Sequence, residues 1–338
     1  MKRIEWVDIC KGIGMILVVL GHTLTTPVRQ ASTVGMNLYN IIYFFHMPLM
    51  LYLSGRAYGM VVERYKTRDN VVMSRVKSLL VPYVIYNIFV YLVFCVANMI
   101  GSLSGVLESS GYGKMSLLNF IYGMLIGDNK YSFHMWYIYA LFIMFVITYL
   151  VDRYIDKKVV KIALIVLSFV MAASRYYINT ATWGILNVFM QFYMYFLIGQ
   201  YIDFSKYAKK VPVIIFEVIS VPITFLYIFK GDIIFKYLGY GIGSILSWIP
   251  VIGIIIICVS ISKYIENVTT KKVFLYLGKK SFVIYMFHQP FFGSGVGLVL
   301  MKVLNMPWLV AVIISFILCF SVPLIISEGY KRFDGGRK

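Results

Sequence analysis

Apolar residues fall in blocks of roughly twenty, separated by short polar or basic stretches. That is the length needed to cross the hydrocarbon core of a bilayer as a helix. Blocks at 8–26, 37–58, 79–100, 133–151, 159–177, 185–203, 211–229, 240–262, 281–301 and 308–327 each qualify. The pattern predicts an all-α polytopic membrane protein with about ten transmembrane helices. A shorter apolar stretch at 117–127, inside the long loop 101–132, predicts a re-entrant or interfacial helix. There is no internal repeat, heptad run or low-complexity tract. The chain therefore reads as one transmembrane domain over 1–338, with a short basic tail at 328–338.

Composition agrees. The 338 residues are 60% hydrophobic and 14% charged, against about 25% charged for a soluble protein. The 28 Tyr and 25 Phe suit aromatic belts at the membrane faces. A net charge of +18 would suggest nucleic acid in a soluble chain. Here the basic residues lie mostly between spans, so no nucleic-acid partner is expected. Placing the N-terminus in the cytoplasm puts the large majority of the 32 lysines and arginines inside, including Lys2, Arg3, Lys331, Arg332, Arg337 and Lys338. Arg29, Lys114, Lys130, Arg175, Lys230, Lys236 and Lys302 fall outside. The positive-inside rule then predicts both termini cytoplasmic. Lys2 and Arg3 before an apolar run imitate a signal peptide, but Gly21-His22-Thr23 offers no small-residue cleavage site, so a retained span is expected. The tail from Glu328 is too short to fold alone, and no soluble domain is expected at either end. Cys10, Cys95, Cys258 and Cys319 form no Cys-x-x-Cys pair, so neither a disulfide framework nor a zinc site is predicted.

Ionisable residues inside spans are costly and are commonly functional. The first span carries Asp8, Lys11 and His22. Lys11 and His22 are eleven residues apart, which returns both to nearly one helix face about 16 Å apart along the axis. This places a cation near the membrane edge and an imidazole near mid-depth. His46 sits near the middle of the second span, and His134 and His288 lie beside or within others. Neutral imidazole is a natural proton acceptor; the plain alternative is a histidine that only hydrogen-bonds its surroundings. No His-x-x-x-His or carboxylate cluster suggests a metal. Arg56 ends the second span, and Arg75 and Lys77 precede the third. Such cations anchor to lipid phosphates or form a phosphate-binding mouth. Glu217, in the seventh span, reads mainly as an acid paired with a neighbouring span. Glycines at 239, 241, 243, 293, 295 and 297 predict close packing or unwound helix. They follow no strand, which excludes a dinucleotide fold. Gly278-Lys279-Lys280-Ser281 reads as a basic flank of the ninth span.

Taken together, the motifs resemble the acyltransferase 3 family of bacterial membrane O-acyltransferases, over nearly the whole chain. The most specific part is Asp8-Ile-Cys-Lys11-Gly followed by His22. Phe45-His46-Met47-Pro48-Leu49 with Leu53-Ser54-Gly55 is similar to the fucose 4-O-acetylase-like branch. Arg75 before Leu80-Val81-Pro82-Tyr83, Met135-Trp136-Tyr137, and Leu277-Gly278-Lys279-Lys280-Ser281 leading to Ile284-Tyr285-x-x-His288 fit in order. Many members have arginine at the position of Lys11. Ser78, three residues after Arg75 and beside Lys77, stands where the family's paired-arginine motif has its second basic residue.

The resemblance implies an enzyme of the bacterial cytoplasmic membrane that moves an acetyl group from cytoplasmic acetyl-CoA to a glycan hydroxyl on the other face. It implies catalytic roles for His22 and His46, with His22 as general base or acyl carrier. Donor contacts are implied for Lys11, Arg56 and Arg75, with Asp8, Trp136, His288 and Glu217 in support and no metal. A second reading is a multi-pass transporter of a small solute such as an amino acid. It is weakened by the lack of a visible inverted repeat or broken helix pair. A third is a subunit that hands acetyl groups to a separate enzyme.

Overall fold

The computed structural model describes residues 4–155, 157–180 and 182–335, without the side chains of 102, 103 and 330–335. The predicted inside cations Lys2, Arg3, Arg337 and Lys338, and the side chains of Lys331 and Arg332, lie outside the described residues. Among the described residues the chain is helical throughout, with no strand.

Among the described residues seven helices are long and apolar enough to cross a membrane. Other predicted spans are helical but differ from these. Thr33–Gly59 is long yet interrupts its apolar residues with Asn37, Asn40 and His46. Lys158–Ser174 and Ile185–Tyr201 have 17 residues each. In chain order the helices used below are α1 (Glu5–Thr23), α2 (Thr26–Ala31), α3 (Thr33–Gly59), α4 (Val71–Ala97), α5 (Leu117–Ile126), α6 (Phe133–Ile155), α7 (Lys158–Ser174), α8 (Ile185–Tyr201), α9 (Val211–Leu238), α10 (Tyr240–Ile265), α11 (Lys271–Val303) and α12 (Trp308–Gly335).

The chain divides into two compact units. The first joins Met1–Ala57 to Ile198–Lys338, and the second is Tyr58–Leu197.

Within the first unit α1 packs extensively against α11. They run parallel and in register. Lys271 donates to Glu5 at 2.8 Å, 266 residues away, and the same offset recurs along both helices. A Cβ on Gly12 would run into the Phe274 carbonyl oxygen, and one on Gly278 into that of Asp8. The two backbones therefore touch, as small residues allow in membrane helices. Helix α3 runs antiparallel to α1: Gly14 lies against Met50, and Gly21 against Ile42 and Tyr43. On the α9–α10 seam a Cβ on Gly253 would run into Ser220, and Ser260 donates to Glu217 at 2.6 Å. Glu217 is thus paired with a neighbouring helix, as the sequence suggested. Much of α9 faces outward, including Ile214, Ile215, Val218, Phe225 and Leu226. Such a face would be an anomaly in water and is the normal surface in lipid.

Polar side chains inside the helices bond back to the preceding turn. Ser54 reaches Met50 O at 2.9 Å, Thr224 reaches Ser220 O at 2.8 Å, and Ser262 reaches Cys258 O at 2.6 Å. With no water in the bilayer core, this is the nearest way to satisfy a hydroxyl.

Three boundaries depart from the sequence reading. Helix α4 begins at Val71, so Arg75 and Lys77 lie within it rather than ahead of it. Lys280 is not a flank: it is buried and pairs with Glu328 at 2.6 Å. Two long helices are interrupted, α9 at Lys230 and α11 at Gln289, where φ −125° and ψ 157° are extended values. The predicted span 211–229 ends at the first of these, whereas the second falls inside the predicted span 281–301. The expected short helix at 117–127 is α5, capped by the Ser116 hydroxyl and closed by Gly127 at φ 71°.

Candidate active site

The parallel register of α1 and α11 has a chemical result. Continuing the 266-residue offset from Glu5 and Lys271 brings His22 level with His288, and their ring centroids are 5.1 Å apart. The antiparallel packing of α3 adds Tyr43 at the same level. Its hydroxyl lies 3.3 Å from His22 Nδ1, and its ring 4.7 Å from that of His46. His22, His46 and His288, far apart in the chain, therefore form one cluster with Tyr43 between the first two.

His22 lies in the last turn of α1, which begins and ends three residues earlier than predicted. It stands near one end of its helix rather than midway. Its backbone carbonyl accepts from Gln289 Nε2 at 3.3 Å, and Gln289 Oε1 accepts from the Ser294 hydroxyl at 2.8 Å. The interruption of α11 at Gln289 thus turns a side-chain amide onto the end of α1.

The tautomers of two histidines follow from their partners. His46 Nδ1 is 2.8 Å from Ile42 O, and His288 Nδ1 is 2.7 Å from Tyr285 O. A carbonyl only accepts, so each Nδ1 carries its hydrogen. In the neutral ring each Nε2 then holds the lone pair. His46 and His288 are buried, whereas His22 is half-buried. His22 is accordingly the most exposed of the three imidazoles. If His22 Nδ1–H donates to the Tyr43 oxygen, Nε2 is the basic nitrogen, and Tyr43 fixes the ring plane.

Lys11 lies on the same face of α1 as His22, three turns toward its start, and is also half-buried. The α1–α3 pairing of Gly14 with Met50 puts Arg56 at this end too, level with Asp8. Arg56 donates to Asp203 at 2.8 Å, and its buried Nε has no hydrogen-bond partner among the described residues. Asp8 is buried, with its carbonyl against Gly278.

Arg75, Trp136 and His134 belong to the second unit. The Arg75 guanidinium donates to the Tyr65 hydroxyl and lies 4.5 Å over the Phe145 ring. Trp136 stacks on Phe192 at 5.5 Å, and His134 meets Tyr86 edge-on at 5.8 Å. Glu217 lies on the α9–α10 seam and touches none of the three clustered histidines. Among the described residues no group of three His, Cys, Asp or Glu side chains is placed to hold a metal ion.

Sequence reasoning missed Tyr43 and Gln289. Tyr43 was findable: Tyr39, Tyr43 and His46 follow the 4- and 3-residue spacing of one helix face. Tyr43→Phe removes one long hydrogen bond and keeps the ring. Turnover should fall by up to about tenfold and the unfolding midpoint by no more than a few degrees, as loss of a single neutral hydrogen bond worth about 1 kcal/mol predicts; steady-state kinetics beside thermal unfolding in detergent checks this.

A family model for an acyltransferase domain matches residues 4–328. The chain therefore belongs to this acyltransferase family, and with its apolar helices it is a multi-pass membrane protein. No curated protein and no solved structure matches it.

Proposed function

We propose that this acyltransferase moves an acetyl group from cytoplasmic acetyl-CoA to a hydroxyl of an extracytoplasmic glycan, such as an exopolysaccharide, capsule or wall polymer, in the bacterial cell membrane. One observation carries the reading. The most exposed imidazole of the cluster, His22, oriented by Tyr43 and His288, shares a helix face with Lys11 three turns away. Coenzyme A is polyanionic at one end and presents its thioester at the end of an extended arm. Lys11 suits the phosphates, and His22 suits the thioester at about the reach of that arm.

In the direct route the acceptor hydroxyl gives its proton to His22 Nε2 as its oxygen attacks the thioester carbonyl. The carbon–sulfur bond breaks, and the leaving thiolate takes the proton from the imidazolium. In the two-step route His22 Nε2 attacks the thioester carbonyl and the carbon–sulfur bond breaks, releasing the thiolate; the acceptor oxygen then displaces the imidazole from the acyl carbon, and its proton passes to the thiolate. Arg56 enters as a second donor contact only by sharing its guanidinium between Asp203 and a phosphate. Arg75 is a further proposed donor contact, its guanidinium held by Tyr65 and Phe145.

Purified protein in liposomes, given radiolabelled acetyl-CoA and a glycan acceptor, should yield acetylated glycan. Solute movement without acetyl-CoA consumption would instead point to a transporter. Lys11→Gln should raise KM for acetyl-CoA about 10- to 100-fold with little change in kcat, the size expected for one charge-assisted contact. An unchanged KM would remove Lys11 from the donor site.

A further inference from the structure

The short helix α2 follows α1 shortly after His22 and Thr23. Its Val28 is fully buried and packs with Leu24, Ile42 and Val312. That anchoring fixes the next residue, Arg29. The Arg29 guanidinium lies 4.0 Å from the centroid of the Tyr39 ring, and one of its nitrogens donates to Thr26 Oγ1 at 2.9 Å. Tyr39 stacks on Tyr43 at 3.9 Å. These two contacts are too close to share one face of the ring, so Tyr39 is sandwiched. The line Arg29–Tyr39–Tyr43–His22 is continuous.

Arg29 is unlike the arginines held by a carboxylate, and like Arg75 it rests on an aromatic ring. Among the described residues Arg56 has Asp203 and Arg153 has Asp69, while Arg29 forms no ion pair. It is half-buried, held in one orientation and placed beside the histidine cluster. It is also a cation on the side that the positive-inside rule leaves poor in cations. A guanidinium resting on an aromatic face still offers in-plane N–H groups, whose fork matches a carboxylate or a phosphate. A lysine surface anchor would need none of this geometry.

We propose that Arg29 binds an anionic group, a carboxylate or a phosphodiester, on the acceptor glycan whose hydroxyl is presented to His22. This rests on the acetyl-transfer reading above and narrows it to acidic acceptors. Tyr39 is a positioning residue that aims the guanidinium.

The test uses the full-length protein in liposomes with three acceptors of matched length: an oligogalacturonate, a ribitol-phosphate oligomer and a neutral galacto-oligosaccharide. Acetyl transfer is measured beside acceptor binding by saturation-transfer NMR. The wild type should favour one acidic acceptor, and which one identifies the source of the anion. Arg29→Gln should raise KM and weaken binding for that acceptor about 10- to 100-fold. The neutral acceptor and the KM for acetyl-CoA should stay unchanged. Arg29→Lys should recover part of the loss, because it restores charge without the fork. Equal handling of acidic and neutral acceptors by the wild type overturns the proposal. So does an Arg29→Gln variant that slows all acceptors alike through kcat, which would make Arg29 a brace only. If no acceptor is acetylated, the transfer reading fails, and the NMR binding of acidic against neutral acceptor still decides the role of Arg29.

Discussion

His22→Ala is expected to lower acetyl transfer by about 10³-fold while leaving the unfolding midpoint nearly unchanged. General acid–base catalysis by a positioned side chain contributes about 10²–10⁴-fold, and loss of a covalent carrier costs no less. Stability should survive because His22 is half-buried, and removing its ring opens a surface already accessible. His288 provides the contrast. It is fully buried and its Nδ1 is bound to Tyr285 O at 2.7 Å. His288→Ala leaves both a cavity and an unpaired carbonyl, so activity and unfolding midpoint should fall together. His46 is buried and bonded in the same manner as Ser54 and Thr224, which bond back one turn. His46→Ala tests whether it does more than satisfy Ile42. A mass increase of one acetyl group on His22, seen with acetyl-CoA and no acceptor, would select the two-step route. Wild-type kcat in His22→Ala would remove the catalytic assignment altogether.

The physics of the bilayer explains what could be read from the chain alone. Span length is fixed by membrane thickness, so the apolar blocks were visible, and the all-α membrane class with them. Helix ends were less visible because local chemistry moves them. Arg75 and Lys77 look like the cytosolic side of a boundary. In the fold Tyr65 and Phe145 surround the Arg75 guanidinium, and that contact lets the helix start earlier. Lys280 looks like a flank until Glu328, distant in sequence, is brought beside it. The site was legible by residue and not by arrangement. Lys11, His22, His46 and His288 could each be named, since an ionisable group in an apolar run stands out. That three histidines meet around Tyr43 depends on helix register, which no local pattern encodes. Tyr43 itself is one of 28 tyrosines, and only its spacing to Tyr39 and His46 separates it from the rest.

The register has a physical origin that a second substitution exposes. Gly278→Leu should destabilise the protein by about 3 kcal/mol or more, the upper range for overpacking. It should also reduce the yield of folded protein. The obstacle at Gly278 is the Asp8 carbonyl, which is backbone and cannot swing aside. Gly105→Ala is the matched control: nothing lies within 4 Å of a Cβ there, so its unfolding midpoint should be unchanged or slightly raised. The Glu5–Lys271 pair is a poor candidate for what sets the register. Its side chains are 45% and 35% exposed, and exposed pairs contribute little. Glu5→Gln should therefore leave the midpoint almost unmoved. If Gly278→Leu melts with the wild type while Glu5→Gln does not, charge rather than backbone contact aligns α1 with α11. If the glycine contact does set the alignment, any side chain at Gly12 or Gly278 that leaves the protein folded should shift α1 along α11. His22 would then lose its position beside His288, and acetyl transfer would fall even though the substitution lies three turns from the imidazole.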